Sequence, residues 1–447
     1  MDNEFMKTKP IFSLLMSMSI PMMLSMLMQA LYNIVDSIYV SYLGTDALTA
    51  VSIAFPLQNM VASVAVGVGV GITSTISIYL GSKKQEEANT AATIGIALSI
   101  LHCILFILIG IFVTKPFLRL FTTDPSILKQ ACDYTYIVVC LSFGTIIQIA
   151  MEKIFQAVGA MKTTMFLLAT GCIINIILDP ILIFGYFGFP AMGVRGAAIA
   201  TVTGQICGFI LYIIVYLKKS FGITIHPKYL IFDKSVIRQI YSVGIPSSLM
   251  MMLPSILVSV LNRILARFSD LYIAVLGVYF KLQTFIYMPA NGIVQGMRPI
   301  VGYNYGAKDY DRMKKTIQYS LLSAGMIMLF GTIVSLLIPA QIFSLFKADK
   351  NLLLAGTTAL RIISLGFLIS TIGIIYSGTF ESIGKGRESL IISLLRQFII
   401  TIPASFILSH FLGVIGVWIA FPIGELCASI VAYFLLKKQE NGAFSPF

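Results

Sequence analysis

Apolar stretches long enough to cross a membrane alternate with short polar segments along the whole chain. A helix that crosses a bilayer needs roughly 20 predominantly apolar residues. By that measure the pattern predicts twelve spans, numbered in chain order, at about 13–40, 48–80, 91–114, 127–150, 161–184, 193–217, 237–266, 272–303, 316–338, 351–378, 389–410 and 412–436. The chain is therefore predicted to fold as an all-α polytopic membrane protein.

The second half of the chain repeats residues of the first half at one constant spacing. Matching pairs that lie 225 residues apart include Pro21 and Pro246, Phe55 and Phe280, Gly67 and Gly292, Gly71 and Gly296, and Gly159 and Gly384. Because six spans make one repeat, both halves have the same orientation and are related by a pseudo-two-fold axis along the membrane normal, as in several transporters. The repeat predicts an N-terminal six-helix lobe at 1–217, a linker at 218–238 and a C-terminal six-helix lobe at 239–447.

The composition supports the membrane prediction and sets the orientation of the chain. Hydrophobic residues make up 57% of the 447 residues and charged residues 11%, whereas soluble domains have about 25% charged residues. The net charge is +12, but 19 basic residues fall in one alternating set of loops and 7 in the other. The excess predicts that both termini and the linker are cytoplasmic. We expect a monomer in the cell membrane, surrounded by lipid and without a nucleic-acid partner.

The sequence contains no convincing motif for enzymatic chemistry. The six cysteines are scattered and form no C-x-x-C pair, so they are interpreted as small apolar residues. Segment 378–386 resembles a phosphate-binding loop, but five residues instead of four separate Gly378 from Gly384, and a glycine follows Lys385. The chain is predicted not to be an enzyme and to need no cofactor.

Polar side chains interrupt the apolar spans of the N-terminal lobe. Asn175 and Asp179 lie four residues apart in span 5 and share one helix face, while Asp36 lies in span 1. A carboxylate inside a membrane costs on the order of 2.5–3.5 kcal/mol, so such residues usually have a partner or a function. With Thr201 of span 6 they are predicted to form one site for Na⁺ or a proton. Alternatively, the two carboxylates only hold neighbouring helices together.

Two prolines lie in the spans that carry these carboxylates. Pro21 is in span 1, and Pro180 directly follows Asp179 in span 5. Each proline removes one backbone N–H from its helix. Both are therefore predicted to be points at which the helices bend.

Several segments resemble the multidrug and toxic compound extrusion (MATE) transporters. The resemblance rests on the two six-span lobes, on Pro21 with Asp36 in span 1, and on segments 175–185, 193–201 and 298–308, which read NIILDPILIFG, GVRGAAIAT and RPIVGYNYGAK. It covers nearly the whole chain. The order and spacing of the motifs are specific, although each motif alone is short.

The resemblance implies a function and a set of site residues. Sodium-binding members use an Asp of span 1, an Asn and an Asp of span 5 and a Thr of span 6, which match Asp36, Asn175, Asp179 and Thr201. Other members have acidic residues in spans 7, 8 or 10, and this chain is expected to have none inside those spans. The implied function is an antiporter that exports cationic or amphipathic drugs in exchange for Na⁺ or H⁺ by alternating access. The alternative is a related flippase of a lipid-linked sugar, which would have extra spans and a cationic cavity.

The C-terminal lobe differs from the N-terminal lobe at the positions that match the cation site. Phe398 and Ile402 replace the two polar residues of span 5. Glu425 in span 12, by contrast, is acidic where the N-terminal lobe is neutral. Glu425 is predicted to form a structural ion pair with Arg396 of span 11, and a role in substrate binding is the alternative.

The substrate cavity is expected to lie between the lobes. The chain contains 21 methionines, and flexible, polarizable methionine side chains suit a promiscuous apolar pocket. Ordinary core or lipid-facing packing is the alternative for any one of them. The candidate cavity residues are Met26, Gln29, Tyr32, Gln58, Asn59, Gln148, Met252 and Gln283.

The charge asymmetry of the loops makes a testable prediction about orientation. A reporter fused after Phe447 should give a cytoplasmic signal, because the more basic loops face the cytoplasm. The measurement is the activity of a reporter that works on only one side of the membrane. A signal from the outer side would contradict the predicted topology.

Overall fold

The computed structural model describes residues 5–346 and 349–443, and side chains up to residue 439. Regular structure in these ranges is entirely helical. The α-helices are α1 (Phe5–Thr8), α2 (Ile11–Ser41), α3 (Thr45–Gly81), α4 (Gln85–Leu118), α5 (Pro125–Cys140), α6 (Phe143–Ala157), α7 (Met161–Phe184), α8 (Val194–Lys218), α9 (Lys234–Leu265), α10 (Asp270–Gly306), α11 (Tyr310–Leu337), α12 (Pro339–Ser344), α13 (Lys350–Ser382), α14 (Gly386–Leu394), α15 (Thr401–Leu412) and α16 (Val414–Ala443). A π-helical turn, Leu395–Ile399, joins α14 to α15. The predicted all-α fold is confirmed.

The helices also account for the predicted spans. In the described ranges, 11 helices are long and apolar enough to cross a membrane, counting Gly386–Leu412 as one. Helices α5 and α6 are bent by 42° at the break between them and together make a twelfth. Several helices extend beyond the predicted spans, because their ends continue into polar sequence. As a result, α6 and α13 include charged residues that lie outside the predicted spans 127–150 and 351–378.

The two halves start equivalent helices in the same way. Asp124 precedes α5, and its carboxylate accepts backbone N–H bonds from Ser126 and Ile127 at 2.8 and 3.1 Å. Asp349, which lies 225 residues further on, caps α13 by accepting from the N–H of Leu352 at 2.8 Å. An Asp in this position satisfies N–H groups that have no partner inside the helix. The sequence repeat is thus also a repeat of local structure.

Contacts divide the chain into two units. The first unit comprises Met1–Lys7 and Leu24–Ser248, and the second comprises Thr8–Met23 and Leu249–Phe447. The lobes predicted from the repeat, 1–217 and 239–447, follow chain order, whereas the division by contacts falls inside α2 and inside α9. Pro21 and Pro180 lie within α2 and α7, which continue past them. Bending at these prolines stays a prediction.

Repeated glycines allow close helix packing in each unit. In the first unit, a Cβ on Gly67 would lie 2.4 Å from the backbone N of Ser248, and a Cβ on Gly71 would lie 2.1 Å from the carbonyl oxygen of Ile240. In the second unit, a Cβ on Gly292 would lie 2.9 Å from the backbone N of Met23. These distances are too short for any side chain. The glycines therefore bring α3 against α9, and α10 against α2, backbone to backbone.

The contact at Gly71 can be tested with a matched pair of substitutions. Gly71→Ala should lower the thermal stability of the purified protein, because the added methyl group meets backbone. Overpacking of this kind costs about 1–3 kcal/mol. Gly325→Ala in α11 is the control, since a Cβ there meets nothing within 4 Å. Equal melting temperatures for the two variants would contradict the packing argument.

Candidate functional site

Helices α7 and α8 form a tight hairpin that positions three of the four predicted cation-site residues. α7 ends at Gly185, whose φ of +80° suits a residue without a Cβ. The N–H groups of Met192 and Gly193 donate back to the carbonyls of Leu182 and Ile183 at 3.0 and 3.1 Å. These bonds fix the register of α8 relative to α7.

Small residues then keep the two helices close along their length. A Cβ on Gly204 would lie 2.9 Å from the carbonyl oxygen of Gly171, and a Cβ on Gly196 would lie 2.4 Å from that of Leu182. Polar side chains between these contacts are shielded from the surroundings. Asn175, Asp179 and Thr201 are 2%, 0% and 2% exposed.

The three buried side chains form one hydrogen-bonded group. The Asn175 amide nitrogen lies 3.4 Å from both Asp179 Oδ1 and Thr201 Oγ1. Turning the amide improves the geometry: its nitrogen then donates to Asp179 Oδ2 at 3.1 Å, and its oxygen accepts from the backbone N–H of Thr201 at 3.0 Å. In either orientation Asn175 connects the carboxylate of α7 to Thr201 of α8.

Helix α2 brings Asp36 and Tyr32 to the same group. The Tyr32 side chain lies close to Thr201, Asp36 and Asp179. Asp36 is also close enough for its charge to act on Asp179. Asp36 Oδ1 is buried and has no hydrogen-bond partner in the described part of the chain. The four residues predicted from sequence therefore meet, and one carboxylate oxygen among them lacks a donor.

The arrangement can hold a small cation or a proton. Carboxylate, amide and hydroxyl oxygens are the ligands that hard cations prefer. Two carboxylates close together in a buried place cannot both remain charged without compensation, so they also suit a shared proton. An oxygen without a donor, such as Asp36 Oδ1, marks a place where either could bind.

A cavity inside the first unit opens beside this site. Together with the part that is open to the surroundings, it has a volume of about 540 Å³. Three of the candidate substrate residues, Gln29, Tyr32 and Gln148, line the cavity together with Asn175 and Thr201. The rest of its lining is Thr145, Ile149, Glu152, Leu168, Gly171, Cys172, Gly204 and Gln205. The cation site and this cavity are therefore continuous.

The other candidate substrate residues lie elsewhere. Gln58 accepts a hydrogen bond from the buried Tyr134 hydroxyl at 3.4 Å. Met26 and Asn59 are half-buried in the first unit but do not line the cavity. Met252 and Gln283 belong to the second unit. The structure thus gathers three of the eight candidates into the described cavity.

Two buried charged residues of α6 lie outside the predicted span 127–150. Lys153 is one of the 19 basic residues assigned to loops, but the helix continues to Ala157 and buries both Glu152 and Lys153. Glu152 also lines the cavity, as does Gln148 one turn earlier. The spacing of four between Gln148 and Glu152 was the signal that could have revealed this face.

The second unit buries two ion pairs. Arg396 belongs to the π-helical turn, and its Nε lies 2.6 Å from Glu425 Oε1. Arg298 Nε and Nη2 contact Glu381 Oε2 at 3.0 and 2.5 Å. Glu381 lies beyond the predicted span 351–378, but α13 extends to Ser382 and buries it. Arg298 neutralises that carboxylate.

Comparisons with known proteins identify the family of the chain. A family model described as MatE matches residues 21–181 and 246–407. The two matches begin at residues 21 and 246, which are 225 apart, the spacing of the internal repeat. The chain is 27% identical over 439 residues to the multidrug export protein MepA of Staphylococcus aureus, covering 97% of this chain and 96% of that protein. MepA of Staphylococcus saprophyticus gives the same identity and coverage.

Solved structures match over almost the full length. One is the outward-facing conformation of a multidrug resistance MATE family transporter of the MOP superfamily, at 25% identity and a TM-score of 0.92, covering 99% of this chain and 98% of that chain. Another is a MOP superfamily transporter from Pyrococcus furiosus whose binding pocket of reverse polarity suggests a different function. It matches at 25% identity and a TM-score of 0.92, covering 100% of this chain and 99% of that chain.

The hydroxyl of Thr201 can be tested without changing side-chain shape. Thr201→Val should weaken the apparent affinity for the coupling ion by about 3- to 10-fold, because a neutral hydrogen-bonding oxygen contributes about 0.5–1.5 kcal/mol. Folding should be unaffected. The measurement is the ion dependence of efflux in vesicles. Thr170→Val, at an exposed position of α7, is the control, and an unchanged ion dependence in Thr201→Val would remove Thr201 from the site.

Proposed function

Because the chain belongs to the MatE family of multidrug efflux transporters, we propose that it is an antiporter that exports cationic or amphipathic drugs in exchange for Na⁺ or H⁺. The chain is a multi-pass membrane protein of a transporter family. The observation that carries the finer proposal is Asp36 Oδ1, a buried carboxylate oxygen without a donor beside Asp179. Both termini are proposed to be cytoplasmic, and no cofactor is needed beyond the coupling ion.

The coupling ion binds between α2, α7 and α8. Asp36 and Asp179 supply charge, while Asn175 and Thr201 supply neutral oxygens. Sodium bound to these oxygens, or a proton shared by the carboxylates, removes the cost of two uncompensated buried charges. Since Thr201 and Asn175 also line the cavity, ion binding alters the surface that a drug meets.

Coupling requires that the ion prefers one conformation. A ligand shifts a conformational equilibrium only by the difference between its affinities for the two states. In the proposed alternating-access cycle, the ion enters from outside and neutralises the carboxylate pair. Helices α2 and α7 then rearrange at Pro21 and Pro180, where a backbone N–H is missing. The rearrangement releases the drug outside and favours the return to the inward-facing state.

Flipping of a lipid-linked sugar is not favoured. The curated relatives that match over almost the full length are multidrug export proteins. The described chain has at most twelve candidate spans rather than additional ones. A cavity that binds a sugar diphosphate needs cationic residues, whereas Glu152 is the charged residue in the lining of this cavity.

Charge-neutral substitution of the two carboxylates tests the proposed coupling. Asp36→Asn and Asp179→Asn should each abolish gradient-driven efflux while drug binding remains measurable, because the amide keeps the shape but can neither carry charge nor take up a proton. Efflux from vesicles is measured first with a Na⁺ gradient and then with a pH gradient, which also identifies the coupling ion.

A third variant separates coupling from general effects of lost charge. Asp46 lies exposed in the first turn of α3, so Asp46→Asn should leave efflux unchanged. If Asp36→Asn or Asp179→Asn folds normally and retains full gradient-driven efflux, the two carboxylates only join helices and the proposed coupling site is wrong.

A further inference from the structure

Glu152 is a buried carboxylate at the far end of a polar helix face. Thr145, Gln148 and Glu152 follow one another on α6 at spacings of three and four residues, so they share one face. All three line the cavity of the first unit. Among the residues that line this cavity, Glu152 is the one acidic or basic residue. One end of the cavity is therefore lined by a carboxyl group.

Only one of the two carboxylate oxygens of Glu152 takes part in the contacts with its neighbours on α6. Lys153 Nζ lies 3.2 Å from Glu152 Oε1, and Gln156 Nε2 donates to the same oxygen at 2.7 Å. Lys153 Nζ also donates to Gln156 Oε1 at 3.0 Å. Because both bonds to the carboxylate end on Oε1, Oε2 is the oxygen that can meet a molecule in the cavity.

The lysine that balances this charge points away from the cavity. Its side chain crosses Gly69 of α3, where a Cβ would lie 2.5 Å from Lys153 Cγ. The lysine side chain is 5% exposed, against 10% for Glu152, and the cavity lining includes Glu152 but not Lys153. A molecule in the cavity can therefore contact the carboxylate of Glu152 directly, whereas the ammonium group of Lys153 does not line the cavity.

The second unit does not reproduce this arrangement. At the 225-residue spacing, Ser377 stands where the first unit has Glu152, and Glu381 stands where it has Gln156. Arg298 contacts Oε2 of Glu381 with two nitrogens, and that carboxylate is fixed in an ion pair. Glu152, which lines the cavity of the first unit, therefore has no acidic counterpart at the matching position of the second unit.

We propose that Glu152 selects positively charged drugs by binding their ammonium group in this cavity. This proposal rests on the proposed export function and adds that the exported substrates are positively charged. The ammonium group meets Glu152 Oε2, while Gln148 and Tyr32 contact the attached apolar part. A tyrosine ring also attracts a nearby cation through its π face. A charged hydrogen bond of this kind corresponds to roughly a 10- to 100-fold preference for the cation.

The test uses binding to purified protein in the absence of any ion gradient. The probes are a naphthalene carrying a –CH2–NH3⁺ group and its ethyl analogue, which has the same shape but neither the charge nor the N–H donors. In Glu152→Gln the preference for the cation should fall by roughly 10- to 100-fold, while affinity for the neutral probe stays the same. An equal loss for both probes, or an unchanged preference, would overturn the proposal.

A charge-balanced variant covers the case in which Glu152→Gln is unstable because Lys153 remains buried without its carboxylate. Glu152→Gln with Lys153→Met removes both charges and should show the same loss of preference. Lys153→Met alone keeps the carboxylate and should retain or increase the preference for the cation. If the double variant still prefers the cation as the native protein does, Glu152 does not select charge.

Asp36→Asn separates this proposal from the coupling proposal. The preference for the cation should survive in that variant, because Asp36 belongs to the ion site. If it disappears in Asp36→Asn and persists in Glu152→Gln, the ion site detects the charge and the assignment to Glu152 is wrong. Full gradient-driven efflux by Asp36→Asn would contradict the coupling mechanism but not the role of Glu152. Probe binding, which tests Glu152, is measured without a gradient.

Discussion

The cost of burying charge in a membrane protein determines where its polar residues can lie. Each buried carboxylate needs a partner, because hydrocarbon offers none. Arg298 contacts Glu381 through two nitrogens, and Asn175 bonds Asp179. Asp36 Oδ1 and Glu425 Oε2 are both buried and have no hydrogen-bond partner in the described ranges. Glu425 still has an ion-pair partner, because Arg396 contacts its other oxygen at 2.6 Å. Asp36 Oδ1 instead lies beside a second carboxylate, Asp179, which is the basis of the proposed ion site.

Close backbone packing makes this polar group possible. Gly171 and Gly204 let α7 and α8 approach until a Cβ would lie 2.9 Å from a carbonyl oxygen. At that separation Asn175 and Thr201 reach one another across the interface. Larger residues at the glycines would separate the helices and expose the carboxylates to an environment without donors. The small residues of this hairpin and its polar residues are therefore parts of one arrangement.

The two halves share a scaffold and differ in what they bury. Helix starts and glycine contacts recur at the 225-residue spacing, as Asp124 and Asp349 show. The polar residues do not recur: Phe398 and Ile402 replace the polar pair of α7. Backbone packing tolerates little change, because an added Cβ meets backbone. The proposed ion site therefore has no counterpart at the matching positions of the second unit, where both residues are apolar.

The sequence by itself determined the helical fold and the repeat, and it predicted the four residues of the proposed ion site, because hydrophobic runs and isolated polar residues within them are local signals. Only the tertiary structure decided which faces meet. Glu152 lies just outside the predicted span 127–150, but α6 extends past it, and Glu152 lines the cavity. Gln58, a candidate cavity residue, instead accepts a bond from Tyr134, 76 residues away. Such pairings depend on helices that are distant in sequence, and no local pattern contains them.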